Sequence, residues 1–283
     1  MSTANREAPG TGAAPLGRQV PAAAKLVHFI GHQLQLQVRA VIGWSLALGL
    51  YTAAMVAIFP SFSDLENLTA AIPEGMREGL GITDIGTIEG FLSAEAFSIV
   101  TPLALAFFPM LSLSAVIAGA EERGTIDVLF SNPLPRWLVV VGSFLAVAIS
   151  LLAVVVIIGL LMWSTALLVG VDLDFSDAAA AVLNLWPLCM FFGSLALLCS
   201  AIFHRRLFGI AIPGVLLLGM YLLDVIGNLS EDLEDARVLS VFHHYGSAIE
   251  EGIDGSGFAG ITCFAVLFVI LAVAAFHRRD IYT

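Results

Sequence analysis

The chain has 283 residues, of which 59% are hydrophobic and 12% charged, with a formal net charge of −11. Soluble domains carry roughly 25% charged residues, so this composition excludes an ordinary soluble globule and points to an all-α integral membrane protein. Residues 1–21 are Ala/Gly/Pro-rich and polar, without the apolar centre of a cleaved signal peptide, and are expected to form a disordered tail.

The first element is expected over "AAAKLVHFIGHQLQLQVR". Lys25, His28, His32, Gln35 and Arg39 recur at helical spacing, and Leu26, Phe29, Ile30 and Leu34 make an opposite apolar stripe. The favoured reading is an interfacial amphipathic helix on the cytoplasmic leaflet; a plain extension of the first span is the alternative. Six transmembrane helices follow, at about 38–59, 96–119, 137–169, 182–203, 207–227 and 258–276. The third run is too long for one perpendicular crossing and too short for two, so it reads as one tilted or protruding helix. An outer segment after the first span contains "PEGMREGLG", a candidate short helix. The third and fourth spans are joined by the acidic "VDLDFSD", and the next two by "HRR", which makes those two an antiparallel hairpin. Gly209, Gly214 and Gly219 permit close helix approach in the fifth span, and Pro102, Pro109, Pro187 and Pro213 permit bends.

Ten of the twelve Lys and Arg residues fall on one side of these spans, with Arg77 and Arg237 on the other. The positive-inside rule therefore places both termini in the cytoplasm. Outer segments 60–95, 170–181 and 228–257 hold 17 of the 23 acidic residues, so the negative charge belongs to the outer face. Cys189, Cys199 and Cys263 lie within spans; the first two, about 15 Å apart on one helix, cannot be bridged.

Little points to chemistry of the chain's own. Its single lysine, Lys25, follows three alanines, so no Walker A loop can be written and no cofactor is expected; ATP would be bound by a partner. His28/His32 and His243/His244 lack converging further ligands for zinc. No span interior combines a nucleophile with a histidine base, which disfavours an intramembrane enzyme. Asp224 is the one carboxylate within a span, read as an interfacial or packing residue or, alternatively, as part of a translocation path.

The stretch "EERGTIDVLFSNPLPR", residues 121–136, puts five charges, a glycine and two prolines between apolar runs. Gly124 suits the C′ position of the second span's end. Thr125 can cap a short helix with Asp127 in its first turn and Ile126, Leu129 and Phe130 on one face, stopped by Pro133 and Pro135. This is either a structured connector or an amphipathic helix shaped for a partner's groove.

At this point the sequence resembles the ABC-2 type permeases, membrane subunits of ABC exporters. The family's acidic pair, Gly-Thr-aliphatic, Leu, Ser, Pro, Arg and Gly pattern is met at Glu121, Glu122, Gly124, Thr125, Ile126, Leu129, Ser131, Pro133, Arg136 and Gly142; Ser143 stands where lysine is usual. "VLSVFHHYGSAIEEG" is similar to the family's outer segment before the last span, departing at Val241 and His244, and "FHRRDI" to its Arg-Arg-Asp ending. The resemblance covers residues 22–283 and implies the ABC-2 (type V exporter) fold in a prokaryotic plasma membrane. It implies a multi-pass permease that couples to a separate ATPase through Glu121, Glu122, Arg123, Gly124, Thr125, Ile126, Leu129, Phe130 and Arg136. It further implies short outer helices dipping back at 228–257, and a second permease subunit, identical or not. Partners are thus the ATPase, the second permease and the lipid bilayer, with no nucleic acid. Rival readings are an accessory permease of a copper-processing or lipid-handling system, a channel, or an intramembrane enzyme.

Overall fold

The computed structural model describes residues 22–61, 87–122, 124, 135–230 and 233–278. The first 21 residues, the "PEGMREGLG" stretch and residues 125–134 of the connector lie outside the described residues. Those described form helices and turns, with no strand among them. Among the described residues five helices are long and apolar enough to cross a membrane, and a bent pair of helices supplies a sixth candidate span.

Helix α1 (Ala22–Ile58) is one unbroken helix. The expected interfacial helix and first span are therefore a single element, and the alternative of a plain extension is the one realised. The reason lies in packing. Phe29 is buried with Leu138 and Val139, and its ring lies so close to Gly142 that an added Cβ would stand 2.7 Å from Cδ1. The apolar stripe thus meets protein, while His28, His32, Gln35 and Arg39 stay exposed.

The second span departs from its expected limits. Helix α2 (Ile88–Leu92) passes into a π-helical turn, Ser93–Phe97, and then into α3 (Val100–Ser114) with a 46° bend. Pro102 accounts for the bend, because it has no N–H for the Ser98 carbonyl and its ring crowds that carbonyl. A second break follows before α4 (Ala118–Glu122). Pro109, Pro187 and Pro213 sit inside helices that remain continuous.

Helix α5 (Arg136–Val169) is the expected single long helix, ended by Gly170 at φ 76° in the left-handed region that glycine favours. Helix α6 (Phe175–Ile202) starts seven residues before the expected span. The alanines of "DAAAA" are strong helix formers, so the last three residues of the presumed acidic loop, 175–177, belong to the first turn of the helix while 171–174 stay outside it. Helix α7 (Arg206–Leu229) and α10 (Gly255–Arg278) extend slightly beyond their expected limits. Between them lie a 3-10 turn (Asp235–Leu239), α8 (Val241–Tyr245) and α9 (Ala248–Glu251).

Contacts fix the directions of these helices. Phe29 of α1 meets Gly142 of α5, and Gly49 meets Leu161. Both numbers rise together, so α1 and α5 run parallel along their whole length. Pro109 of α3 faces Gly193 of α6 and Ser114 faces Ser200, again parallel. Gly159 faces Val182 while Ala148 O accepts from Trp186 Nε1 at 2.9 Å, so α5 and α6 are antiparallel. Arg136, at the start of α5, donates to Phe276 O near the end of α10 at 3.2 Å. The ends of α1 and α10 nearest the termini consequently share one end of the bundle with Glu121, Glu122, Gly124 and Arg136. Helix α6 occupies the centre, packing on α3, α5, α7 and α10.

Candidate functional site

Ser114 ends α3, and an unbroken helix would bond the Ala118 N–H to its carbonyl. Instead Ser200 Oγ of α6 occupies the gap, donating to Ser114 O at 3.1 Å and accepting from the Ala118 N–H at 2.9 Å. A side chain inserted into the ladder is a standard cause of a helix break. Ser200 is fully buried, so no water competes for these groups.

The turn after α6 makes two more links. Arg206 Nη2 donates to Leu111 O at 3.1 Å, a carbonyl next to the same break. Its side chain crosses α4 at Gly119, where an added Cβ would stand 3.3 Å from Cδ. The Arg206 backbone N–H donates to Glu122 Oε1 at 2.8 Å, so Glu122 caps the start of α7, where a helix has free donors and a favourable dipole. Glu121 lies 4.0 Å from His204 Nε2. Beyond Glu122 the chain turns at Gly124, φ 65°, whose N–H donates to Glu121 O at 3.0 Å. Arg136 lies over the Phe276 ring, 5.6 Å from its centroid.

The structure therefore gathers Glu121, Glu122, Gly124 and Arg136 at the end of the bundle that carries both described termini. Arg123, Thr125, Ile126, Leu129 and Phe130 lie outside the described residues. Ser200 and Arg206 were not singled out from sequence as parts of this site. Arg206 carried a signal as a basic residue beside the hairpin turn, whereas Ser200 is one serine among many in spans. Gly142 proves to be a packing position, and Ser143, beside it, is buried too.

At the opposite end, Asp224 Oδ1 accepts from Arg237 Nε at 3.2 Å, with both side chains about one-fifth exposed. The Arg237 stem lies against Gly227. Ser240 Oγ donates to Met220 O at 2.7 Å, and Asn184 Nδ2 donates to Tyr245 O at 2.6 Å. Asn184 lies nine residues after the start of α6, about 13 Å along it, so α8 penetrates well below the helix ends. The Phe242 ring reaches Phe192, at a centroid distance of 6.4 Å. Short helices between the last two spans thus turn inward. The 3-10 turn, α8 and α9 enclose a cavity of about 470 Å³ with α7 and the π-helical turn. Asp254 accepts from the Ser256 hydroxyl and from the backbone N–H groups of Gly257 and Ser256 at the start of α10, and these bonds hold its carboxyl below the usual range.

Among the described residues no group of three or more His, Cys, Asp or Glu is arranged to hold a metal ion. No curated protein matches the chain. Residues 26–277 match the family described as "Multidrug efflux system permease Rv1217c, C-terminal domain". The match takes in all six candidate spans, the connector and the inward-turning segment. It is consistent with an ABC-2 type transporter permease. The chain is a multi-pass membrane protein and belongs to the family of the C-terminal domain of the multidrug efflux system permease Rv1217c.

Proposed function

We propose that the chain is the permease subunit of an ABC-2 type exporter, pairing with a second permease and driven by a separate ATPase subunit. The family match carries this reading. ATP binding would draw two ATPases together, and residues 121–136 would deliver that movement to the spans. Both termini would then lie in the cytoplasm of a cell whose plasma membrane holds the complex.

The bonding around α4 suits such a role. A segment that accepts force needs stiff links to the body it moves. Here Glu122 and Ser200 tie α4 to α6 and the α6–α7 turn, and Ser200 and Arg206 bond the end of α3 to the same elements across the break. Apolar anchors in a desolvated groove cost about 2 kcal/mol or more when truncated. Phe130→Asp or Leu129→Asp is therefore expected to abolish co-purification of the partner ATPase, with the permease still at normal levels in the membrane. Asn132→Asp, off that face, should be silent. An intact, transport-competent complex in both apolar variants would reduce the stretch to a connector. Orientation is tested separately. A single cysteine at Ser230 should label from outside intact cells, and one at Ser131 should not.

A further inference from the structure

The cavity at the inward-turning end has a wall chemistry that the exporter reading does not use. Its volume of about 470 Å³ falls within the range of small-molecule sites, about 300–1,000 Å³. Tyr221, Phe97 and Phe242 supply aromatic wall, and Tyr221 stacks edge-on to Phe242 at 5.5 Å. Asp224 is placed in that wall by α7, and Glu250 and Glu251 also line the cavity. A carboxylate beside aromatic faces favours an organic cation, through ion pairing and through attraction of positive charge to the ring quadrupole.

One cation already occupies this position. Arg237 reaches Asp224 from the 3-10 turn, Asp235–Leu239, a segment with no buried residue. The neighbouring side chains Val238 and Leu239 are 59% and 74% exposed. The guanidinium is thus delivered by a short strap held on α7 and α8 by this ion pair, the stem on Gly227, the Ser240 bond to Met220 and a 3.0 Å bond between His244 Nε2 and Val238 O. A group on such a strap can be exchanged for another cation at modest cost, whereas one on α7 itself could not.

We propose that this cavity is a binding site for monovalent aromatic organic cations, with Asp224 as the recognition carboxylate and Arg237 as a tethered competitor that the ligand displaces. The site lies within one protomer. It deepens the exporter reading by naming a cargo class, and it depends on that reading only in calling the ligand cargo. The sign of the Arg237 effect distinguishes the proposal from a structural ion pair. A structural pair suffers from loss of either partner. A competitor, once removed, raises the fraction of chains ready to bind and so tightens apparent affinity.

The test uses the full-length permease, purified without any ATPase, with tetraphenylphosphonium as probe and tetraphenylborate as an anion of the same shape. Equilibrium dialysis should show saturable binding of the cation and none of the anion. Asp224→Asn should weaken binding about tenfold, as expected for loss of a partly desolvated charge partner, and Arg237→Gln should tighten it about threefold or more. Should Asp224→Asn fail to fold, the Arg237→Gln arm alone decides, because weakening or no change there overturns the competitor. Equal binding of both probes, or no saturable binding of either, overturns the site. Since no ATPase is present, such a failure leaves the exporter reading to its own co-purification test.

Discussion

At the end that carries both described termini, the helices are joined through backbone groups left open by breaks. Ser200 and Arg206 satisfy the carbonyls of Ser114 and Leu111, and Glu122 caps the N–H of Arg206. At the opposite end, a segment between α7 and α10 turns inward and is held by Asn184 to Tyr245 O, Ser240 to Met220 O and the Asp224–Arg237 pair. The first end works by continuity, since side chains restore ladders that the backbone interrupts. The second works by insertion, since a strap is seated in a space between helices. An end built by continuity transmits displacement, and one built by insertion can open. That division suits the exporter proposed above, which would receive force at one end and release cargo at the other.

The comparison breaks most directly at the α1–α5 contact. Gly142→Leu forces a side chain into the Phe29 ring, and such overpacking costs about 1–3 kcal/mol. Thermal unfolding in detergent should drop accordingly, and Phe29→Ala in the same chain should restore much of the loss. Equal destabilisation in single and double variants would show that the close approach is tolerated by other shifts. Next come two variants to be read together. Ser200→Ala and Asn184→Leu each remove a buried partner of backbone groups, worth about 1–2 kcal/mol. Hydrogen exchange should rise at 115–122 in the first and at 241–245 in the second, without crossing over. Exchange rising at both ends in either variant would mean that the ends are not independent units.

These variants also show what the sequence could and could not reveal. Apolar runs placed every long helix, because hydrophobic length is a property of single segments. The left-handed Gly124 followed from local pattern as well, whereas the inward-turning segment was expected only from the family resemblance. The break at Ser114 did not, since it depends on Ser200, 86 residues away. The amphipathic stripe of residues 25–39 was misread for a related reason. Periodicity shows that a helix has an apolar face, and only tertiary structure shows that α5, rather than lipid, covers it. Asp224 was narrowed to two roles; the structure supplies its partner Arg237 and a cavity beside it.

Smaller effects sharpen the contrast further. Glu122→Gln keeps a carbonyl oxygen to accept from Arg206 N, and the group is exposed, so a loss under about 0.5 kcal/mol is expected. A large loss of stability would show that its charge matters to folding. Asp254 gives the smallest effect. Its folded-state pKa is lowered, so its contribution is present above the unfolded value and is lost as pH falls through the folded one. Acidification below the usual carboxylate range should loosen the first turn of α10 in the native chain, and Asp254→Ala should remove that pH dependence. Persistence of the dependence in the variant would assign it to another carboxylate.

Helices α1 and α5, parallel over 37 and 34 residues, have a consequence for how the subunit sits in lipid. At 1.5 Å per residue α1 is about 55 Å long, against a hydrocarbon thickness of about 30 Å. Tilting to about 40°, the upper end of observed tilts, still leaves roughly 42 Å along the bilayer normal. Roughly 12 Å or more must therefore stand outside the hydrocarbon. Lys25, His28, His32, Gln35 and Arg39 crowd the first half of α1, so the overhang belongs to the end shared with Glu121, Glu122 and Arg136. The paired rods act as a depth gauge. They fix how far that end rides clear of the lipid, and with it the height at which any soluble protein must meet the membrane.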